Sequence, residues 1–364
     1  MNKSSQRLLS LDVFRGLTMF LLMGEAARVY ASLSAASEGS WLHHLMIQFH
    51  HHPWDGLRFW DLIQPFFMFI VGVAMPFSYK SRAARGETHT TIQNHILYRC
   101  LLLFLFGTGL HCVYSHQLVW ELWNVLTQLS FTILLAFFLM RLSWKWQIGA
   151  SLLLLVLTEI LYRLYDPSAP FVKDANFGSY LDMILMGKIN NGGGWVTINC
   201  LPTAAHTIWG VICGQLLLSD RLAEQKLRFL VIAALIGLVA GYLMHFLQIT
   251  PIIKRIATSS FTLASGGWAI LVLALFYWWI DVRGNQLGVR FFSIVGMNSI
   301  FIYLFAETVG HQWLGGFTKT FNHGFLGMLG LPEMALDITN ALLVWGIMWY
   351  LCYFLYKKKI FFKI

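Results

Sequence analysis

Ten apolar stretches of roughly 20 residues follow one another along the chain, and they restrict the fold more than any other feature. A helix needs about 20 apolar residues to cross the hydrocarbon core of a bilayer. The sequence therefore predicts an all-α, polytopic transmembrane helix bundle with about ten membrane-spanning helices, forming one domain over residues 1–364. The predicted spans are residues 9–33, 60–79, 95–113, 122–141, 146–164, 198–218, 228–247, 261–281, 291–310 and 336–356.

Composition also indicates a membrane protein. Of the residues, 57% are hydrophobic and only 12% are charged, about half the charged share of a typical soluble domain. The net charge of +9 does not predict nucleic-acid binding, because the basic residues separate apolar stretches instead of forming a patch. The five cysteines show no paired spacing, so we expect no disulfide framework.

Basic residues recur in every second connection between the spans, which predicts that both termini are cytoplasmic. Lys254 and Arg255 are an exception, since ten spans place them on the outer side. The basic residues on the predicted cytoplasmic side are Lys3, Arg7, Lys80, Arg82, Arg85, Arg141, Lys145, Arg221, Lys226, Arg228, Arg283, Arg290 and Lys357–Lys359.

The long connections, residues 34–59, 165–197 and 311–335, fall on the outer side. Nine of the 13 histidines lie in these connections or near the outer ends of helices. Because binding and catalytic residues concentrate on loops, we expect a functional site on this side.

The outer segment His50-His51-His52-Pro53 stands just before the second span. Pro53 disfavours helix at His52, so we expect a non-helical approach to the membrane. Histidine can act as a general base or nucleophile, hold a metal, or be a polar residue at the interface. Asp61, at the top of the second span, could orient an imidazole.

The first span carries three charged residues. Asp12 and Arg15 are three residues apart and can pair on one helix face, either as a structural ion pair or within an anionic-cofactor site. Gly16 would let a neighbouring helix approach closely. Glu25 lies deeper in the membrane and is a candidate functional carboxylate, although pairing with Arg28 or an outer-loop residue is the alternative.

Further polar residues stand within or beside other spans. Arg99, in the third span, either snorkels to the interface or holds a phosphate or carboxylate. The glycine-rich segment 190–199 and the turn that follows it are either a flexible loop or a sugar site, with Asn191, Trp195, Asn199 and His206 as candidate ligands.

The ninth span carries Asn298, Tyr303 and Glu307, which should face the bundle interior rather than lipid. Glu307 and His311 are four residues apart and can interact along one helix face.

The ordered set of these motifs resembles the transmembrane acetyltransferases related to heparan-α-glucosaminide N-acetyltransferase, together with bacterial NagX-type proteins. The resemblance runs along nearly the whole chain. The matching positions are Leu11–Gly16; His51, Trp54 and Gly56; Asp61, Leu62, Pro65, Phe66, Phe69 and Gly72; Arg99; Gly296–Ser299, Tyr303 and Glu307; and Leu355–Ile360.

The resemblance implies an acyl-CoA-dependent N-acetyltransferase. Such an enzyme would move acetyl from cytoplasmic acetyl-CoA to the amino group of a glucosamine-type sugar on the far side. By position the active-site histidine is His51, which Glu25 or Asp61 would orient, unless they bind the acceptor ammonium. By position, the residues that would line the acetyl-CoA site are Arg99, Asn298 and Tyr303. We add Arg15 and Ser299 to this set. The acceptor would contact Trp54, Asn191, Trp195, Asn199, His206 and Glu307.

The resemblance further implies a bacterial inner-membrane enzyme with its active site on the periplasmic side, no metal, and a possible homodimer. Three departures bear on the acceptor and the CoA contacts. Ala26 stands where heparan-α-glucosaminide N-acetyltransferase, a lysosomal enzyme, has asparagine. Gln128 or a neighbour stands where that enzyme has an arginine, and its large luminal domain is missing. Two other functions stay open at this stage, namely a transporter for an amino sugar or related solute and a metal-responsive or structural membrane protein.

Overall fold

The computed structural model describes residues 8–362, and within that range the chain is all-α, with one isolated antiparallel bridge and no strands. The helices are α1 (Leu9–Ala26), α2 (Val29–Ala36), α3 (Trp41–Met46), α4 (Ile63–Ala83), α5 (His89–Ser115), α6 (Val125–Leu139), α7 (Trp144–Tyr165), α8 (Phe177–Met186), α9 (Cys200–Leu218), α10 (Ala223–Phe246), α11 (Ser259–Phe276), α12 (Val289–Gly296), α13 (Ser299–Phe305), α14 (Gly315–Gly327) and α15 (Glu333–Lys357). All five cysteines are free thiols.

The chain is an integral membrane protein by the length and apolar character of its helices. Among the described residues, seven helices are long and apolar enough to cross a membrane, and a bent pair that includes α12 and α13 would make eight. These seven are α4, α5, α7, α9, α10, α11 and α15, some with a short flanking turn. The total of about ten spans and the side of the termini stay predictions.

Two predicted spans are not continuous helices, which corrects the sequence reading. Residues 9–33 break between α1 and α2, where Arg28 adopts a left-handed conformation with φ 64°. Residues 291–310 break between α12 and α13, and the two segments diverge by 73°. Hydropathy averages over such two-residue breaks, so the apolar pattern alone does not reveal them.

The long outer connections also contain helices that hydropathy did not predict. Helices α3, α8 and α14 lie within the connections predicted as loops. For α8 the local signals are clear in retrospect. The Asn176 side chain accepts a hydrogen bond from the Ser179 amide at the start of the helix, and Gly187 takes a left-handed conformation after its end.

Two compact units make up the chain. The first comprises residues 52–57 and 61–278 of the described range, and the second comprises residues 8–51, 58–60 and 279–362. In the first, α4 and α9 cross closely, because a side chain at Gly72 would overlap the carbonyl oxygen of Thr207 and one at Gly210 that of Phe69. Small residues permit such close helix packing in membranes.

In the second unit α1 packs on α12 in the same way. A side chain at Gly16 would overlap the carbonyl oxygen of Phe292, which confirms the predicted close approach at this glycine. The first turn of α1 is capped from a distance, since Asp281 accepts hydrogen bonds from the amides of Leu9 (3.3 Å) and Ser10 (3.1 Å). Both contacts fix the amino-terminal part of α1, which is predicted to lie at the cytoplasmic face.

Candidate functional site

Residues 52–57, which we call the 52–57 loop, are non-helical, as Pro53 predicted. In the first unit this loop is bonded to residues 251–258, the 251–258 loop. The amide of Gly56 donates to the carbonyl of Ile252 at 2.8 Å, and the amide of Ile252 donates to the Asp55 carboxylate at 3.1 Å. An antiparallel bridge between Asp55 and Ile253 completes the attachment. The main chain that follows His51 therefore has a defined support.

Asp61 lies at the base of this loop and is 1% exposed. Its Oδ2 accepts the backbone N–H of His52 at 3.2 Å, and its Oδ1 lies 3.8 Å from the Nζ of Lys254. The sequence predicted that Asp61 orients an imidazole, and this stays a prediction. The hydrogen bond observed here acts on the main chain. The N–H of His52 belongs to the peptide bond that follows His51, so Asp61 fixes the backbone of the histidine segment.

The glycine-rich segment forms a turn that is held by two cations. Lys173 donates to the carbonyl of Gly192 at 2.7 Å, and Arg255 donates to the carbonyl of Gly193. The positive φ of Gly194 (70°) brings the main chain under Trp54, where a Cβ would lie 2.7 Å from the indole. These contacts give the turn a defined main-chain support.

Four predicted acceptor residues lie around this turn or beside it. Lys254 and Arg255 stand over the Trp195 ring at 5.4 and 5.8 Å from its centroid. The Asn199 amide donates to the carbonyl of Arg255 at 3.2 Å. Trp54 covers Gly194, and Asn191 is exposed on the turn itself. The structure thus brings Trp54, Trp195 and Asn199 together around two basic residues that the sequence reading treated only as a topological exception.

His206 lies elsewhere, fully buried within α9. Its Nε2 is 2.9 Å from the Ser265 hydroxyl and 3.1 Å from the Thr262 carbonyl, both on α11. Its contacts are therefore with the helical core, and its predicted contact with an acceptor stays a prediction.

The second unit contains His51 and Glu25. Arg58 donates from Nη1 to the carbonyl of His51 at 2.9 Å, and Trp60 donates its indole N–H to Glu25 at 2.9 Å. Trp60 was not among the predicted pairing partners of Glu25, and the pairing of Glu25 with Arg28 or an outer-loop residue stays a prediction. Glu25 itself is exposed, at the end of α1.

An aromatic cluster supports this region of the second unit. Tyr30 stacks on Phe49 at 4.7 Å between centroids and tilts against Trp60 at 5.1 Å. Beside it, burial and the positive charge of Arg58 lower the pKa of His50, against an opposing hydrogen bond with the backbone of Tyr30. His50 is thus held in its neutral form more strongly than a free histidine.

Three of the predicted acetyl-CoA residues of the second unit, Asn298, Ser299 and Tyr303, lie at or just after the break before α13. Asn298 is fully buried and binds the C-terminal tail, donating to the carbonyl of Ile360 at 3.1 Å and accepting the amide of Phe362 at 2.9 Å. Ser299 donates to the carbonyl of Gly296 at 3.1 Å, and Tyr303 is buried on α13. No sequence signal indicated that the tail folds back onto Asn298.

Glu307 and His311 lie in a π-helical stretch, Ala306–Leu314, rather than on an α-helix. The wider π turn changes which residues share a face, so the argument from four-residue α-helical spacing does not apply here. Arg15 and Asp12 of α1 pair at 3.9 Å, which confirms the predicted ion pair.

Arg99 lies half-buried on α5 in the first unit, and its role stays a prediction. Gln128, one of the departures from the family pattern, is buried and accepts a hydrogen bond from Gln64. Within residues 8–362, no three or more His, Cys, Asp or Glu side chains are grouped so that they could hold a metal ion.

A further polar cluster of the first unit escaped the sequence reading. Glu121 binds His111 at 2.6 Å and Lys188 at 2.8 Å. Burial by itself would raise the pKa of Glu121, but the hydrogen bonds from Lys188 and His111 outweigh it and lower that pKa. The carboxylate is therefore ionised in this cluster.

Comparison with known proteins gives one consistent result. No protein-family model matches the chain. The chain is 24% identical to heparan-α-glucosaminide N-acetyltransferase of Mus musculus over an alignment 429 positions long, gaps included. The alignment covers 99% of this chain and 61% of that protein. For the Homo sapiens protein the identity is 25% over 432 residues, covering 98% and 60%. The chain thus spans about 60% of the length of these relatives. The similarity is weak but nearly full-length, and it supports a relationship to this family.

Proposed function

We propose that the chain is a membrane-embedded acetyltransferase that moves acetyl from cytoplasmic acetyl-CoA to the amino group of a glucosamine-type sugar on the non-cytoplasmic side. The observation that carries the proposal is the ordered, non-helical histidine segment, whose main chain is held by Asp61 and Arg58. The nearly full-length similarity to two N-acetyltransferases supports it.

In the proposed reaction His51 acts as the base. It takes a proton from the acceptor amine as the nitrogen attacks the thioester carbonyl, a C–N bond forms, the C–S bond breaks, and CoA leaves as the thiolate. In the alternative order, His51 first receives the acetyl group and then passes it to the amine. Glu25 and Asp61 are the carboxylates that we assign to orienting the imidazole or to binding the acceptor ammonium.

The acceptor is assigned to the turn that carries Trp195. An indole face suits the apolar face of a sugar ring, and Trp54, Asn191 and Asn199 supply further contacts and polar groups at or near the same turn. His206 and Glu307 complete the proposed acceptor residues. The ordering of the turn by Lys173 and Arg255 means that little chain entropy would be lost when a sugar binds.

Acetyl-CoA is anionic and does not cross membranes, so its phosphates need basic groups at the cytoplasmic face. We assign Arg15 and Arg99 to that role, with Asn298, Ser299 and Tyr303 lining the donor. We place the protein in a bacterial inner membrane with both termini cytoplasmic, about ten spans, and a periplasmic acceptor site. A homodimer belongs to the same proposal.

The test uses purified protein, labelled acetyl-CoA and a panel of amino sugars. His51→Ala should abolish acetyl transfer while the thermal unfolding midpoint in detergent stays near that of the wild type. His50→Ala and His52→Ala are the matched controls, since they remove neighbouring imidazoles that have no assigned role in the reaction. Full activity in His51→Ala would remove His51 from the mechanism.

One observation favours transport as a second candidate function. The helix break at Asn298 places a buried amide where two helical segments diverge by 73°, and broken helices line solute sites in many transporters. Uptake of labelled glucosamine into protein-containing vesicles without CoA would support transport. Acetylation that requires CoA, without such uptake, would support the enzyme.

A further inference from the structure

Lys254 is the residue of the first unit that departs most from its expected surroundings. Hydropathy and charge placed it on the outer side as an exception to the charge rule, and in the structure the residue is almost fully buried, at 6% exposure. A buried lysine is costly unless a partner compensates its charge. The carboxylate of Asp61, which is also buried, lies 3.8 Å away.

The main chain around Lys254 forms a loop that is held by hydrogen bonds between its own residues. The Thr258 hydroxyl donates to the carbonyl of Pro251 at 2.7 Å and accepts the amide of Ile253 at 3.0 Å. The amide of Thr258 donates back to the carbonyl of Ile253 at 3.1 Å. These bonds make the 251–258 loop a small, internally bonded support, so the Lys254 side chain starts from a fixed position.

The same loop is bonded to the 52–57 loop through Gly56, Asp55 and Ile252, as described above. The backbone contacts thus align the two loops, and the Lys254–Asp61 ion pair adds a charged contact beside them. Asp61 uses one carboxylate oxygen toward Lys254 and the other for the N–H of His52. The ammonium therefore keeps a buried carboxylate in the orientation that holds the peptide bond after His51.

The Lys254 ammonium also stands 5.4 Å from the centroid of the Trp195 ring. A cation at this distance over an indole is attracted to the ring face. One side chain thus contacts the carboxylate that holds the histidine segment and the aromatic residue assigned to the acceptor.

We infer that Lys254 is a positioning residue of the acetyl transfer, which sets the backbone of the histidine segment through Asp61 and couples it to the acceptor turn at Trp195. This inference rests on the proposed function for its catalytic part. Lys254 itself does not touch the reacting atoms in this assignment. Its effect is on the peptide bond that ends at the N–H of His52.

The experiment compares Lys254→Met, which removes the charge at similar length, with Lys254→Arg, which keeps it. A misplacement of about 1 Å by a mutation away from the chemistry can cost about 100-fold in rate. Lys254→Met should therefore lower kcat by about tenfold or more, with the KM for acetyl-CoA changed less than about twofold. Lys254→Arg should recover most of kcat.

A readout independent of activity is amide hydrogen exchange of the peptide that contains residues 52–57. Lys254→Met should speed exchange at His52, because the carboxylate that accepts its N–H loses its partner. Lys188→Met is the matched control, since Lys188 also pairs with a carboxylate of the first unit, Glu121, without contacting the 52–57 loop in any observed hydrogen bond. It should leave both exchange at His52 and kcat unchanged.

A double variant separates positioning from folding. Lys254→Met with Asp61→Asn removes both charges of this ion pair, so it should unfold at a higher temperature than Lys254→Met alone while kcat stays low. Unchanged exchange at His52 in Lys254→Met overturns the inference, whether or not kcat falls. If no amino sugar is acetylated by the wild type, the proposed function fails, and the exchange data still decide whether Lys254 positions the segment.

Discussion

Trp60 donates its indole N–H to the carboxylate of Glu25 at 2.9 Å, and this bond ties the last turn of α1 to residues 58–60. A carboxylate in the last helical turn is disfavoured by the helix dipole, so local stability does not account for its presence. Trp60 is buried whereas Glu25 is exposed. The arrangement fixes the carboxylate and leaves it accessible to a ligand.

This relationship predicts that stability and activity separate at Glu25 and Trp60. Glu25→Gln keeps an oxygen that can accept the indole N–H, so the unfolding midpoint should change little while acetyl transfer falls. Trp60→Phe removes the donor and should cost about 1 kcal/mol of stability. Thermal unfolding in detergent and acetyl-transfer rates measure the two effects. Equal loss of stability in both variants would show that Glu25 serves the fold alone.

The close packing at Gly16 leads us to predict that a larger residue there lowers stability. Alanine there would overlap the carbonyl oxygen of Phe292, and main-chain atoms cannot move aside cheaply. Gly16→Ala should therefore destabilise the protein by about 1–3 kcal/mol, as overpacking does elsewhere. Gly346→Ala in α15 is the matched control, because no atom lies within 4 Å of a Cβ built there. That control should be neutral or stabilise the helix by up to about 1 kcal/mol.

The lowered pKa of His50 predicts a stability change with pH. Burial and the charge of Arg58 disfavour the protonated form in the folded state, and His43 acts in the same direction. The unfolded chain then binds the proton more readily, so stability is lost as pH falls below about 6.5. Unfolding midpoints between pH 7.5 and 5.5 should fall more steeply for the wild type than for His50→Asn. Parallel curves for the two proteins would exclude this role for His50.

The hydrogen bonds of Asn298 predict that this side chain holds the C-terminal tail in place. Its amide binds both Ile360 and Phe362, and Phe362 also stacks on Phe301 at 4.7 Å between centroids. Asn298→Ala should release the tail, which limited carboxypeptidase digestion would detect as faster removal of the last residues. Ser299→Ala is the matched control, since its hydroxyl bonds only within the helix break, to Gly296. Equal digestion of both variants and the wild type would mean that the amide does not hold the tail.

Features set by local chemistry were predictable from the sequence. Apolar runs predicted the helices α4, α5, α6, α7, α9, α10, α11 and α15, Pro53 predicted the non-helical backbone at His52, and the spacing of Asp12 and Arg15 predicted their pair. Each depends on residues close together in the chain or on a preference that acts wherever the residue stands. Hydropathy, helix spacing and the restriction before proline are of that kind.

Tertiary structure alone decided the rest. Lys254 meets Asp61 across 193 positions of the chain, Asn298 meets the tail at residues 360 and 362, and Asp281 caps α1 from the far end of the sequence. Such pairings depend on which helices and loops become neighbours, and burial then selects the partner that compensates each charge or amide. The sequence identified Lys254 only as an exception to the positive-inside rule. The tertiary structure places its ammonium beside the buried carboxylate of Asp61.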